Sequence, residues 1–149
     1  MHTLGYSRET PPETISSRVG AAYLFAIETG MRAGEICSLE WRYVNERHVH
    51  LPRTKNGHVR DVPLSVEARR IIEQLRSLTG DEETVFGVST ASLDALFRKA
   101  KRLALIEDLH FHDTRREALT RLSKVFDVME LARISGHRDL RVLQNVYYA

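Results

Sequence analysis

Apolar residues recur at helical spacing along most of this chain and switch to a spacing of two only once, between His48 and Val62. A chain patterned in this way buries helix faces against one another and leaves room for a single small sheet. Ile15, Val19, Ala22, Tyr23, Ala26 and Ile27 follow Pro11-Pro12 at a period near 3.6, and Gly30 stops that run. A second helix is expected from Arg32 through Glu35, Ile36 and Leu39 to about Trp41. Val49 and Leu51 then alternate with His48 and His50, and Val59 and Val62 follow Lys55-Asn56-Gly57, the pattern of a β-hairpin with Asn-Gly at its tip. Ser65 should cap a helix through Ala68, Ile71, Ile72 and Leu75. Ser92 should open another through Leu93, Leu96, Phe97, Ala100 and Leu103. Thr114 and Glu117 have capping-box spacing ahead of Ala118, Leu119 and Leu122, and two shorter helices should cover Val128 to Ile134 and Leu140 to Tyr147. The expected class is mainly α (α+β): a helical domain with one small antiparallel sheet.

At 149 residues the chain fits one domain over 1–149, with about 1–12 read as a leader or linker. An apolar content of 42% beside 28% charged residues excludes a disordered chain. The longest apolar run, at 21 to 27, is too short to cross a membrane, and the N-terminal residues lack the apolar core of an export signal. The single cysteine, Cys37, forms no intrachain disulfide and fits a reducing cytoplasm, the expected location, with no membrane partner. A net charge of +2 says little about partners, but the cations cluster. They gather at 53–60 (Arg53, Lys55, His58, Arg60), at 98–102 (Arg98, Lys99, Lys101, Arg102) and at 115–124 (Arg115, Arg116, Arg121, Lys124). Acids collect elsewhere, as in Asp81-Glu82-Glu83. Clustered cations are what a phosphate-binding face needs.

Six residues carry the chemistry: Arg32, Lys55, His112, Arg115, His137 and a tyrosine near the C-terminus, Tyr147 or Tyr148. Transfer of a phosphoryl group to a side chain needs a nucleophile, neutralisation of the charge on the phosphate, a proton for the leaving oxygen and in-line placement. Arginine suits the second need, because its planar fork donates two hydrogen bonds to a phosphate and never loses its charge. Two arginines can hold both non-bridging oxygens without a metal ion. Arg32 follows Gly30 at a helix start, and Glu35 one turn on is placed to steady its guanidinium. Taken alone, that pair reads more readily as a surface ion pair. Lys55 sits at the hairpin turn, where an ammonium can serve as general acid, although most turn lysines are only solvated. Arg53 and Arg60 flank it and are expected to touch a nucleic-acid backbone. His112 and Arg115, three apart, project from one side of a first helical turn. Asp113 or Thr114 is placed to cap that turn, while Arg116 points about 100° away and reads as a DNA-backbone or surface residue. His137 follows Gly136 between two helical stretches. Nearby cations can lower the pKa of a phenol and stabilise its phenolate. Tyr147 shares a face with Leu140 and Leu143 and is favoured over Tyr148.

In this order and context, Thr29-Gly30-Met31-Arg32-Ala33-Gly34-Glu35, His112-Asp113-Thr114-Arg115, Ile134-Ser135-Gly136-His137 and Val146-Tyr147-Tyr148 resemble the catalytic domain of the tyrosine recombinases, the phage integrase family. The resemblance implies the DNA breaking-rejoining fold. It also implies that Arg32, Lys55, His112, Arg115 and His137 activate a DNA phosphate, with Lys55 as general acid. Tyr147 would form a 3′-phosphotyrosyl link without metal or other cofactor, and religation to a partner strand would recombine double-stranded DNA at an attachment site. One spacing departs from the family: its tyrosine usually lies nine residues after the Gly-His histidine, and here that position is Val146. Family members usually carry an N-terminal helical domain as well, and this chain is expected to begin about where their catalytic domain does, with the N-terminal domain absent. The expectation is therefore a fragment of a longer integrase, monomeric and weakly DNA-binding alone, whose full-length parent assembles as a tetramer on DNA in the cytoplasm, at the nucleoid. Two other classes remain open at this point. A metal-dependent nuclease would use His48-Val49-His50 or His110-Phe111-His112, but no carboxylate or cysteine accompanies them at metal spacing. A non-enzymatic helical DNA-binding module would explain the basic clusters and leave the tyrosine and Gly136-His137 without a role.

Overall fold

A computed structural model describes residues 3–52, 59–137 and 140–148, apart from the side chains of Val142 and Tyr147. Its elements run α1 (Ile15–Thr29), α2 (Ala33–Ser38), a 3-10 turn (Trp41–Tyr43), β1 (His48–Leu51), β2 (Arg60–Pro63), α3 (Val66–Thr79), α4 (Thr90–Leu103), α5 (Asp113–Leu122), α6 (Val128–Ser135) and α7 (Leu140–Tyr147).

The central element is α1, which packs against α2, α3, α4 and α5. Ala21, Ala22 and Ala26 are fully buried on it, and such small side chains let neighbouring helices approach closely. Phe25 fills the space between, edge-on to Phe86 at 5.2 Å. Tyr23, on the flank of the same helix, stacks on Phe97 at 5.4 Å, and Phe111 closes that trio. Thr14 caps the helix reciprocally with Ser17: the Ser17 N–H donates to Thr14 Oγ1 and the Thr14 N–H to Ser17 Oγ. At the other end Gly30 turns left-handed, with φ +74°. Cys37 lies in this core, where burial pushes its thiol up to about 11 and removes it from thiolate chemistry.

The two strands pair antiparallel with Val49 opposite Val62 and Leu51 opposite Arg60. Val49 and Val62 face the core, and His50 and Asp61 face out, joined at 2.7 Å from Nδ1 to Oδ1. The expected Asn-Gly tip, with Arg53 and Lys55, lies outside the described residues. The second helix is shorter than its apolar spacing implied: α2 ends at Ser38, and Trp41 begins a separate 3-10 turn with its indole N–H on the Thr79 carbonyl. Ser89, three residues earlier than Ser92, caps α4 by accepting the Ser92 N–H. The capping box expected at Thr114 and Glu117 does not form. The Asp113 carboxylate reaches back to accept the His110 N–H, and the Thr114 hydroxyl donates to the Phe111 carbonyl.

Residues 3–12 are not a detached leader. Leu4 and Tyr6 are buried against the main core, and the Gln74 amide of α3 meets the carbonyls of Ser7, Arg8 and Thr10. Tyr6 donates its hydroxyl to Gln74 Oε1. At the opposite end α6 and α7 close a smaller cluster of Leu119, Leu131, Ala132 and Leu143. Among the described residues no helix is long and apolar enough to cross a membrane.

Gly30→Ala should lower stability by about 1–2 kcal/mol, because a Cβ at that φ is strained although the nearest atom, Ala118 Cβ, lies at an ordinary 3.5 Å. Gly34→Ala, where a Cβ meets nothing within 4 Å, should be neutral or stabilising by a few tenths of a kcal/mol. Chemical denaturation of the two variants side by side checks the contrast.

Candidate active site

Three helix ends meet at one place: the C-terminus of α1 at Gly30, the start of α2 at Arg32, and the C-terminus of α6 at Ser135-Gly136. The last carbonyls of a helix have no intrahelical donor and carry the negative end of its dipole, so cations gather there. Arg115 on α5 is 4% exposed and spans two of these ends. Its Nη1 donates to the Gly30 carbonyl at 2.7 Å and its Nη2 to the Ser135 carbonyl at 2.5 Å.

Arg60 is the second buried guanidinium, and it corrects a sequence expectation. Placed beside the hairpin turn, it was expected on a DNA backbone; instead it is 6% exposed and held from inside the protein. Its Nε donates to the Ile134 carbonyl at 2.8 Å, while Nη1 and Nη2 grip the two oxygens of Glu35 at 2.6 and 2.9 Å. The reason is the strand period. Arg60 lies two residues before Val62, so both project to the inner face. Glu35 pairs with Arg32 as expected, at 3.9 Å, but its closer partner is Arg60. The Glu35 carboxylate also accepts the Arg32 backbone N–H at 2.9 Å. Burial alone would raise the Glu35 pKa, but the Arg60 hydrogen bonds, the Arg32 N–H and both positive charges outweigh it and hold the carboxyl below its usual range.

Arg32 is thus the most open of the three arginines, with about a quarter of its side chain (26%) exposed. His137 completes the group. Its Nδ1 lies 2.6 Å from Ser135 Oγ, and its pKa is lowered to about 4 by burial first and then by Arg115, Arg32 and Arg60. The imidazole is therefore neutral near pH 7. A cleft of roughly 1040 Å³ runs from His137 and Gly136 past Ala132 and Met129 to His50 and Asp61 of the hairpin.

His112 is exposed at the N-cap of α5, one turn before Arg115, and Arg116 is exposed beside it. Tyr147 is the last residue of α7, and its side chain lies outside the described residues, as do Lys55 and Arg53. Tyr148 donates its hydroxyl to the Phe126 carbonyl at 2.5 Å, and burial together with Asp127 and Glu130 raises its pKa. A phenol so placed is a poor nucleophile. Among the described residues no group of three or more His, Cys, Asp or Glu side chains is placed to hold a metal ion. Sequence reasoning passed over Ser135 and the inward role of Arg60. The strand alternation carried the signal for Arg60, and nothing but its place in Ile134-Ser135-Gly136-His137 marked Ser135.

The model of the phage integrase family matches residues 4–149. A Haemophilus influenzae protein named integrase/recombinase is 58% identical over 139 residues, covering 92% of this chain and 46% of that protein. A shufflon-specific DNA recombinase of Escherichia coli is 45% identical over 124 residues, covering 80% of this chain and 32% of its own length. The chain thus spans less than half the length of these relatives. In fold it is similar to a λ integrase dimer bound to a COC′ core site, with a TM-score of 0.72 at 17% identity over 87% of this chain and 42% of that one. The small antiparallel sheet within a helical domain is the tyrosine recombinase catalytic fold.

Two measurements test the electrostatics. Glu35→Ala leaves Arg60 buried and unpaired and should cost about 3–5 kcal/mol in chemical denaturation. Because the folded Glu35 pKa is depressed, the stability it contributes is present above the ordinary carboxylate pKa and lost as pH falls through the folded value. In an NMR titration His137 should protonate with a midpoint of about 4, against 6.5 when unfolded. The unfolded chain binds the extra proton between those values, so this histidine makes stability rise with pH across that window.

Proposed function

Because the chain belongs to the phage integrase family, we propose that it carries the catalytic centre of a site-specific DNA recombinase that cuts and rejoins strands through a 3′-phosphotyrosyl intermediate. The observation that carries this reading is the gathering of Arg32, Arg115 and a neutral His137 around helix ends that are held together by the Glu35–Arg60 pair. Two guanidiniums together with a neutral imidazole suit the phosphorane-like charge of a phosphodiester under attack.

In the proposed step the Tyr147 oxygen attacks phosphorus and gives up its proton to solvent. The bond to the 5′ oxygen breaks as the Tyr147–phosphorus bond forms, and Lys55 protonates the departing oxygen. Arg32 and Arg115 take the non-bridging oxygens, with His112 and His137 donating to the same phosphate. Charge neutralisation then comes from side chains, and the step needs no metal or nucleotide. The phosphotyrosyl link keeps the bond energy, so attack by the 5′ hydroxyl of another strand reverses the chemistry with exchanged partners. The longer parent is proposed to act as a tetramer on double-stranded attachment-site DNA. The position of Tyr148, with its hydroxyl on the Phe126 carbonyl, favours Tyr147 as nucleophile.

Incubation with nicked suicide substrates in the presence of a chelator should give a protein–DNA adduct that survives a denaturing gel. Tyr147→Phe should abolish the adduct and Tyr148→Phe should retain it. An adduct that persists in Tyr147→Phe, or one that needs a divalent metal, would overturn the mechanism; a protein that binds the site and never forms an adduct would be a DNA-binding module.

A further inference from the structure

Ser135 touches two members of the proposed centre at once. Its carbonyl accepts Arg115 Nη2, and its hydroxyl meets His137 Nδ1 at 2.6 Å, with the residue only 1% exposed. Either atom of the hydroxyl–imidazole pair could carry the shared proton, and the surroundings decide between them. If Nδ1 held the proton, the Ser135 hydroxyl would have to donate elsewhere, and the carbonyl within its reach is that of Ala132 at 3.5 Å. That carbonyl already accepts the Gly136 N–H at 2.9 Å and the His137 N–H at 3.1 Å, which occupies both of its lone pairs. The short bond to the imidazole is by far the better use of the serine proton.

We propose that Ser135 is a positioning residue that donates to His137 Nδ1 and so fixes the imidazole as the Nε2–H tautomer, aimed as a neutral hydrogen-bond donor. A histidine's free nitrogen takes the role opposite to that set by the bond on the other nitrogen, so this single hydroxyl decides whether the outward atom is a donor or an acceptor. Only the donor form can bond a phosphate oxygen. The cationic surroundings agree: Arg115, Arg32 and Arg60 disfavour a second proton on the ring. The same serine carbonyl holds Arg115, so both side chains are referenced to one residue at the end of α6. The consequence for catalysis rests on the phosphotyrosyl reading above; the tautomer assignment does not.

The test uses the 149-residue chain with ¹⁵N-labelled histidine. Long-range ¹H–¹⁵N spectra near pH 7 should show His137 protonated on Nε2, and Ser135→Ala should convert it to a mixture of tautomers. In the covalent-trapping assay Ser135→Ala should slow adduct formation by about 10- to 100-fold, and Ser135→Thr, which keeps the hydroxyl, should recover most of that loss. Wild-type His137 protonated on Nδ1 would overturn the assignment even if Ser135→Ala proved too unstable to study. So would Ser135→Ala with an unchanged tautomer and an unchanged rate. If wild type gives the Nε2–H signature but no adduct on any substrate, the tautomer assignment holds and the phosphotyrosyl reading falls.

Discussion

The buried pair between Glu35 and Arg60 is the contact on which the rest of this centre depends. Two ions withdrawn from water cost several kcal/mol each unless their hydrogen bonds are nearly complete. Here they are: Arg60 uses Nε on α6 and both terminal nitrogens on Glu35, while Glu35 also accepts the Arg32 N–H. One ion pair therefore ties the second strand, the start of α2 and the end of α6 into a single unit. No apolar contact could do the same, because the groups to be joined are backbone carbonyls and an N–H at helix termini, which need polar partners.

The helix ends supply the second organising element. Gly30 and Gly136 both adopt left-handed backbone, at φ +74° and +78°, which turns the chain sharply and leaves the final carbonyls of α1 and α6 facing one another's neighbours. At Gly136 the glycine is also needed for space, since a Cβ would come within 3.1 Å of Arg60 Nη1. Arg115 then bridges the two ends. Arg60 and Arg115 thus donate to carbonyls at helix C-termini, and Arg32 is left as the most exposed of the three arginines.

Much of this was legible in the sequence. The period near 3.6 gave α1 from Ile15 and its stop at Gly30, and the change to a period of two gave the strand pair with Val49 and Val62 inside. Local chemistry was harder to place than pattern. Ser89 and Ser92 are both competent caps, and spacing alone does not choose between them. Arg32, the neighbour of Glu35 along the helix, was legible as its partner, whereas Arg60, which binds it more closely, reaches it across the fold from 25 residues away. Arg60 itself was legible in principle: alternation with Val62 puts it inside, but an arginine beside a turn invites the opposite reading. Residues 3–12 looked like a linker because they are polar and irregular, and their carbonyl contacts with Gln74 leave no periodic trace.

That N-terminal stretch bears on the thermodynamics of recognition. A flexible tail that settles only when a protein closes on its target loses backbone freedom worth about 1–2 kcal/mol per ordered residue at that moment. Leu4, Tyr6 and the carbonyls bound by Gln74 are already in place on α3. The entropy of fixing this segment is thus settled during folding, and the free energy of binding is spared it. A weaker temperature dependence of association, compared with a domain whose leading segment folds on contact, is the physical consequence.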